Sequence, residues 1–461
     1  MGIMKKIVQV FLIGGFITLF TGFRPTEKKW EKSFARLDNE VKQNSKAYQT
    51  LGEATKSIGH RLTGSVNGEK AEEYAFQLLK SYGFTDVAFQ PFEVEAWMRD
   101  TVTLSIAPGS SDNFREVPVV SLAHSPVEAK LQGEIVDVGN GLEEDFEAVK
   151  DRVKGKVVLA NINLVGSPGK KNLHRSEKTA LAIKYGATGV IMVNGAPGKI
   201  LLTGTASVTG AIIGIPAVCI SNDSGGELRK WLKEEGPLEA HIDMHNISKP
   251  IKARNVIATL KGKSDEKVII GGHLDSWDLA TGAHDDGAGV VAAMGVVETL
   301  KKLDYRPRRT IRVIAWMNEE NGGRGGQAYF EAHKQALGKQ YAAIEMDSGA
   351  GRPFGIKASV GPKAEKLFTP LLAALQPMGA HAFTRRDALG TGDLHRLETG
   401  GVPSFEPLVD SHSYFHYHHT PADTLDKVDP DNLKRNVALM SSLAWFLANI
   451  DGEIGRAPEQ E

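Results

Sequence analysis

The chain has 461 residues, of which 41% are hydrophobic and 24% are charged. This length exceeds one ordinary hydrophobic core, so two or three domains are expected, and the composition is that of a folded protein. Lysine and arginine total 55 against 56 for aspartate and glutamate, and this balance excludes the basic surface that nucleic-acid binding requires. The single cysteine, Cys219, excludes an intrachain disulfide.

The first 22 residues predict a secretory signal peptide or an N-terminal anchor. Lys5 and Lys6 precede an apolar stretch over 7–21, and polar residues follow from Arg24. A positive start before a hydrophobic stretch too short for a comfortable membrane span is typical of a signal peptide. No Ala-x-Ala cleavage site is visible, so an uncleaved anchor stays open. We expect an exported protein, periplasmic or extracellular, with no other stable membrane domain.

Residues 23–119 and 120–247 differ in their predicted elements. In the first segment, an apolar stripe predicts a helix that stops at Gly83, and strands are predicted over 87–94 and 102–106. In the second, glycine and small β-branched residues dominate, which is typical of a separate inserted domain with a helix over 177–185. Short strands are predicted there over 133–138, 156–160, 189–193 and 215–220.

The pattern over 248–455 changes to strands that alternate with amphipathic helices. Strands are predicted over 267–271, 310–317 and 342–346, and the last helix is expected to begin at Pro430 with Asp429 as its N-cap. Such alternation indicates an α/β fold with a mainly parallel sheet between layers of helices. We therefore predict one discontinuous domain, 23–119 with 248–455, interrupted by the insert over 120–247.

Acidic and imidazole side chains follow each of the three predicted strands over 267–271, 310–317 and 342–346, and more lie before the last predicted helix. In chain order they are His273, Asp275, Asp285, Asp286, Glu319, Glu320, Asp347, His416, His418 and His419. Alone, each cluster is explained by a loop hydrogen bond, a turn or a charged helix start. However, sites in open α/β sheets form beyond the carboxyl ends of the strands. Carboxylates that converge there repel each other unless cations bind, and mixed carboxylate and imidazole ligands suit zinc.

These stretches resemble the co-catalytic di-zinc exopeptidases, the family of bacterial leucyl aminopeptidases and glutamate carboxypeptidases. The matching motifs are GHLDS (272–276), GAHDDGAG (282–289), NEENGG (318–323), EMD (345–347) and HTPADT (419–424). The chain is most similar to the plasma glutamate carboxypeptidase branch, carboxypeptidase Q. RLTGS (61–65) resembles the N-terminal signature of the family, and 120–247 resembles its protease-associated insert. The resemblance implies the zinc exopeptidase fold, a mixed, mainly parallel sheet sandwiched by helices.

The resemblance also implies a role for each site residue. Two Zn2+ ions would be held by Asp285 as the bridge, His273 and Asp347 on one ion, and Glu320 and His419 on the other. Glu319 would be the general base, and Asp275 would orient the ligand His273. A cis peptide bond would join Asp285 to Asp286.

The chemistry of amide hydrolysis is consistent with these residue types. A bridging group must offer two oxygen atoms, as a carboxylate does, and two zinc ions about 3.5–4 Å apart lower the pKa of bound water toward about 7. A base such as Glu319 takes a proton from this water and delivers it to the leaving amine. We expect a metallo-exopeptidase, an aminopeptidase or a carboxypeptidase Q-like dipeptidase, acting on short peptides or dipeptides.

Several points stay open at the level of sequence. The motifs are compatible with recognition of either the amino or the carboxyl end of the peptide. They assign no role to His412, Tyr414, His416 or His418. At the position of His418 the membrane-bound glutamate carboxypeptidases have a tyrosine. One alternative is a glutaminyl cyclase-like enzyme with one zinc ion. Another is a non-catalytic, receptor-like protein, which would be expected to have lost ligands that are all present here. The oligomeric state is open, with a homodimer among the options.

Overall fold

The structure is a computed structural model that describes residues 25–458 except 110, 112 and 391. The predicted signal peptide or anchor, 1–22, lies outside the described residues. Among the residues that are described, no helix has the length and apolar character needed to cross a membrane.

The described residues form α-helices and β-strands throughout the chain. The helices are α1 (Pro25–Asn44), α2 (Ala47–Ser57), α3 (Val66–Ser81), α4 (Glu143–Val153), α5 (Arg175–Lys184), α6 (Asn222–Glu234), α7 (Ala288–Lys302), α8 (Arg324–His333), α9 (Thr369–Leu375), α10 (His395–Thr399), α11 (Tyr414–Tyr417) and α12 (Pro430–Asn449). The strands are β1 (Val87–Pro108), β2 (Arg115–Glu116), β3 (Val119–Ser121), β4 (Glu128–Asp137), β5 (Val157–Asn161), β6 (Gly189–Val193), β7 (Ala217–Ile220), β8 (Leu238–Leu260), β9 (Ser264–His273), β10 (Arg309–Trp316), β11 (Gln340–Glu345), β12 (Pro353–Ser359), β13 (Ala382–Arg385) and β14 (Ser404–Val409).

Helix ends follow the capping residues of the sequence. Ser65 accepts a hydrogen bond from the Gly68 N–H at the start of α3, and Gly83 beyond its end has a φ of +81°, where glycine is not penalised. Asp429 accepts from the N–H of Asn432, 2.7 Å away, at the start of α12, so the predicted N-cap is confirmed.

The two segments outside the insert, 25–119 and 248–455, which we call the catalytic half for their expected role, form a mixed, mainly parallel sheet covered by helices on both faces, as predicted. Its strand order is β13-β12-β14-β11-β9-β10-β8-β1. The central pairs from β14 to β10 are parallel, whereas β12–β14, β10–β8 and β8–β1 are antiparallel. Val268 and Ile270 of β9 pack in the core with α7 and α12, and Ile269 packs on the other face with α8 and α10. Burial on both faces explains the continuous apolar runs of these strands.

A long antiparallel ribbon of β1 and β8 differs from the sequence expectation. Both predicted strands, 87–94 and 102–106, lie within the single strand β1, which continues through residues 95–101 and absorbs an irregularity between Arg99 and Thr101. The partner strand β8 was not predicted. It also pairs with β4 of the insert, so the predicted boundary at 247/248 falls inside one continuous strand.

The insert contains its own smaller sheet. Strands β4, β5, β6 and β7 are parallel neighbours and β3 pairs antiparallel with β7. The predicted strands over 156–160 and 189–193 correspond to β5 and β6, and the predicted helix to α5. Cys219 is a free thiol buried in β7.

Candidate active site

The predicted site residues meet at one edge of the catalytic sheet. The parallel strands β9, β10 and β11 all end there. His273 is the last residue of β9, Glu319 and Glu320 follow the end of β10, and Asp347 follows the end of β11. The loop before α12 adds His419 from the C-terminal part of the chain. The parallel topology therefore gathers residues that are far apart in sequence.

Two imidazole–carboxylate clusters share Asp285. His273 Nε2 lies 3.2 Å from Asp285 Oδ1 and 3.3 Å from Asp347 Oδ1. His419 Nε2 lies 3.1 Å from Asp285 Oδ2 and 2.9 Å from Glu320 Oε2. Asp285 thus presents one oxygen to each imidazole. Both clusters have the donor atoms of a metal site, although their ligand roles stay predictions.

The backbone around Asp285 is fixed by two further aspartates. Asp423 accepts from the N–H groups of His284 (2.7 Å) and Asp285 (3.1 Å). Asp286 accepts from the N–H of His273 at 3.0 Å, so its carboxylate is engaged with the main chain. The Asp285–Asp286 peptide bond is cis, as the resemblance implied. Asp423 lies inside the matched HTPADT stretch but was not assigned a task from sequence.

Asp275 contacts both His273 and the main chain of Glu319. Its main-chain oxygen lies 3.0 Å from His273 Nδ1, whereas its carboxylate Oδ1 is 3.8 Å from that nitrogen. The same Oδ1 accepts from the N–H groups of Asn318 (2.8 Å) and Glu319 (3.0 Å). The orientation of His273 therefore depends on the main chain of Asp275, and the carboxylate fixes the backbone of the predicted base.

Burial of so many acids perturbs their proton affinities. Burial, with Asp347 and Glu320 nearby, raises the pKa of Glu319 well above its usual range. Burial and then the Asp285 charge raise the pKa of Glu320 to about 7. Burial opposes ionisation of Asp285 as well, but the imidazoles around it lower its pKa well below the usual range. The shared carboxylate is therefore ionised while its acidic neighbours lack sufficient counter-charge.

Arg175 from the insert also reaches the site. It is 7% exposed, and its Nη2 lies 3.1 Å from His419 Nδ1. Gly204 has a φ of +126°, and a Cβ there would collide with the guanidinium of Arg175. The N–H of Thr203 donates to the main-chain oxygen of His419 at 2.9 Å. No sequence motif marks Arg175, since it lies 244 positions from the histidine it contacts.

The remaining histidines occupy different places. The ring of His418 stacks on that of His419 with centroids 3.6 Å apart, and its Nε2 is 3.6 Å from Asp285 Oδ2. His418, Tyr414 and His416 line the cleft over the site. His412 instead lines a surface hollow outside that cleft. His418 therefore both packs on the predicted ligand and faces the cleft.

The cleft has a volume of about 1370 Å³ and lies between the insert and the catalytic half. Its insert wall carries the polar side chains of Asn163, Asn172, His174, Arg175 and Asn194, beside apolar residues such as Leu202 and Val208. Its opposite wall carries Asp285, Glu319, Glu320, Asp347 and His419. This space suits a small ligand or a short peptide that approaches the site from the insert side.

The fold and the site together define a class, a metallopeptidase whose catalytic sheet is interrupted by a protease-associated domain. The sequence profile of the PA domain matches residues 125–228, and that of peptidase family M28 matches residues 255–444. The first match falls inside the predicted insert and the second covers the strands and loops that carry the site.

Similarity to known proteins over nearly the whole chain identifies the family. The peptidase M28 precursor from Shewanella amazonensis SB2B is 30% identical, with 94% of this chain and 100% of that chain covered and a TM-score of 0.82. Carboxypeptidase Q of Mus musculus is 27% identical over 90% of this chain and 88% of its own length. The aminopeptidase from Aneurinibacillus sp. strain AM-1 is 26% identical, with 91% and 98% covered and a TM-score of 0.65. The chain belongs to peptidase family M28, and the predicted enzyme class is confirmed.

Proposed function

We propose that the protein is a di-zinc exopeptidase that hydrolyses dipeptides or the terminal bond of short peptides. The observation that carries this proposal is the geometry of Asp285, whose two oxygens face His273 and His419 separately. Each imidazole has a second carboxylate beside it, Asp347 for one and Glu320 for the other. Two adjacent sites that share one carboxylate are what a co-catalytic pair of ions requires.

The donor set fits zinc. Imidazole nitrogens and carboxylate oxygens are common zinc ligands, and three protein ligands leave room for water. Glu320 Oε1 is buried without a hydrogen-bond partner in the part of the chain that the structure describes, and Asp285 Oδ2 faces the imidazoles of His419 (3.1 Å) and His418 (3.6 Å). A cation bound beside these oxygens would offset the cost of burying carboxylate charge. Zinc ions in such sites supply an activated water.

The chain itself would move and place the proton. Glu319 lines the cleft and is held at its backbone by Asp275. In our proposal its carboxylate accepts the proton of the attacking water and then donates it to the nitrogen of the leaving amine. Its raised pKa describes the protein without cations, and bound cations would lower it toward the working range.

Arg175 favours a substrate with a free carboxylate. Its guanidinium lines the insert wall of the cleft, and its Nε has no hydrogen-bond partner in the described part of the chain. A buried guanidinium pairs well with a carboxylate. This observation supports carboxypeptidase or dipeptidase activity. Aminopeptidase activity is the alternative, because the chain is similar both to carboxypeptidase Q and to an aminopeptidase.

The first test replaces the proposed base. Glu319→Gln is expected to lower the turnover of a cleaved dipeptide by about 10²- to 10⁴-fold, the usual contribution of a general base, with the zinc content unchanged. Turnover is measured with zinc-loaded protein and zinc content by mass spectrometry. Glu365→Gln, a change at an exposed glutamate, is the control. Wild-type turnover in Glu319→Gln would refute the assigned base.

The assay uses free, N-acetylated and C-amidated dipeptides, so that it also identifies the end that is read. Loss of cleavage on amidation alone supports recognition of the carboxylate, and loss on acetylation alone supports an aminopeptidase. One zinc ion per chain with cyclisation of N-terminal glutamine would instead support a glutaminyl cyclase. No bound zinc and no hydrolysis of any peptide would support a receptor-like protein.

A further inference from the structure

We propose that the segment 61–65 is a brace for the active site, in which Arg61 shapes the loop after β9 and Thr63 positions the base through Asp275. This segment carries the RLTGS motif but contributes no predicted ligand. The inference rests on the proposed function, because it assigns these residues a task in placing Glu319 for catalysis. Both are positioning residues, since they act through other groups.

Arg61 binds three carbonyl groups of one loop. Its side chain donates to Leu274 O (2.5 Å), Thr281 O (2.7 Å) and Gly282 O (2.9 Å). Its main-chain N–H donates to Ser276 Oγ at 3.0 Å. The donors of a guanidinium have fixed directions, so one arginine sets the relative positions of both ends of this loop. The loop connects His273 to the turn that carries Asp285.

Arg61 also brings a permanent positive charge behind the acidic cluster. It is 3% exposed and interacts electrostatically with four buried carboxylates, those of Asp423, Asp286, Asp275 and Asp285. Because buried carboxylates repel each other, a fixed cation on their inner side offsets part of the cost of assembling the site. A lysine could supply the charge but could not bind the three carbonyls in the same way.

Thr63 connects the segment to the base. Its side chain is fully buried, and Oγ1 donates to Asp275 Oδ2 at 3.2 Å. The other oxygen of Asp275 accepts the N–H groups of Asn318 and Glu319. Two bonds therefore lead from the Thr63 hydroxyl to the backbone of Glu319. Without the hydroxyl, Asp275 Oδ2 loses this hydrogen bond, and the carboxylate, held through Oδ1 alone, fixes that backbone less firmly.

The segment is itself rigidly supported. Leu62 packs in a small core with Trp97 and Trp277. Gly64 has a φ of +89°, and a Cβ there would lie 2.5 Å from the Cβ of Ala96. Ser65 caps α3 directly after it. Because the segment 61–65 is held by packing and by the helix cap, it can keep the groups to which it is hydrogen-bonded in fixed positions.

The test compares Thr63→Val, Thr63→Ser and Thr310→Val. Valine keeps the shape of threonine and removes the hydroxyl, and serine keeps the hydroxyl. Thr310 is also buried, but its hydroxyl donates to Ser264 O at the opposite end of the sheet, which makes it the matched control. We expect Thr63→Val to lower kcat about tenfold, as for a modest displacement of a catalytic group, with KM within about twofold of wild type. Thr63→Ser is expected to restore most of kcat.

Hydrogen exchange of the amides of 318 and 319 gives a second readout that does not need peptidase activity. We expect faster exchange in Thr63→Val than in wild type and Thr310→Val, because the acceptor of both amides is loosened. Unchanged exchange, a kcat equal to that of Thr310→Val, or no rescue by serine would overturn the brace. If wild type cleaves no peptide, the proposed function fails, and exchange alone decides whether Thr63 positions this backbone.

Discussion

Gly392 determines where the side chain of the proposed base can lie. A Cβ at this position would collide with Glu319 Oε1 and would lie 2.7 Å from its Cδ and Cγ. Asp275 holds the backbone of Glu319 from the other side. The Glu319 carboxylate can therefore lie here because Gly392 has no side chain to block it and because Asp275 fixes the main chain of Glu319.

Gly392→Ala is expected to displace the Glu319 carboxylate. The atoms in the way belong to a flexible side chain, so the protein can accommodate the methyl group by moving Glu319 and not the backbone. We expect kcat to fall by about 10- to 100-fold, with the melting temperature and zinc content close to wild type. Gly226→Ala on α6, where a Cβ meets nothing within 4 Å, is the control. Full activity of Gly392→Ala would show that the position of the Glu319 carboxylate does not depend on a glycine at 392.

Convergence of the site residues was predictable, but their supporting contacts were not. His273, Glu320 and Asp347 follow the ends of neighbouring parallel strands, and topology alone brings such residues together. Arg175 reaches His419 because the insert docks over the catalytic half. That docking depends on long-range packing, which local sequence patterns do not encode.

At the scale of elements, helix α5 is fixed to strand β5 by a buried lysine. Lys178 is fully buried, and its Nζ donates to Asn161 O (2.8 Å) and Ile162 O (2.9 Å). Burial lowers the pKa of Lys178 to about 8. The same helix begins with Arg175, so the attachment of α5 also sets the position of that arginine over the site.

The lowered pKa of Lys178 predicts that its contribution to the free energy of unfolding increases at alkaline pH. Its pKa is about 8 in the folded protein and about 10.4 in an unfolded chain. Between these values the unfolded chain binds more protons, so the stability of the folded state rises with pH. We expect the melting temperature of wild type minus that of Lys178→Met to increase from pH 7 to pH 10. Lys184→Met, a change at an exposed lysine of the same helix, is the control. A constant difference would contradict the lowered pKa.

Strands and helices were predictable where the hydrophobic residues formed one continuous run or followed one clear periodicity. Strands β5, β6, β9 and β10 are short apolar runs bounded by polar residues, and their location followed from composition. The ribbon of β1 and β8 was not recognised, because its alternation is interrupted by charged residues and its pairing spans more than 100 positions. Register over such a distance depends on tertiary packing.

At the scale of the whole molecule, the candidate metal centre lies where the two halves meet. The catalytic sheet contributes His273, Glu320 and Asp347. The insert contacts His419 twice, through the N–H of Thr203 and the guanidinium of Arg175. The predicted ligands all belong to the catalytic half, and the insert reaches them through its contacts with His419.

Removal of zinc is expected to lower both activity and thermal stability. Ions that bind the folded state but not the unfolded chain stabilise it by roughly 2.7 kcal/mol when free zinc is 100 times its Kd. Chelation should therefore abolish peptide hydrolysis and lower the melting temperature, and added zinc should restore both. In Asp285→Asn, which keeps the shape of the shared side chain but removes its charge, zinc should produce a much smaller shift. An identical shift in this variant would mean that zinc binds elsewhere, whereas chelation without any effect would exclude a structural or catalytic ion at this site.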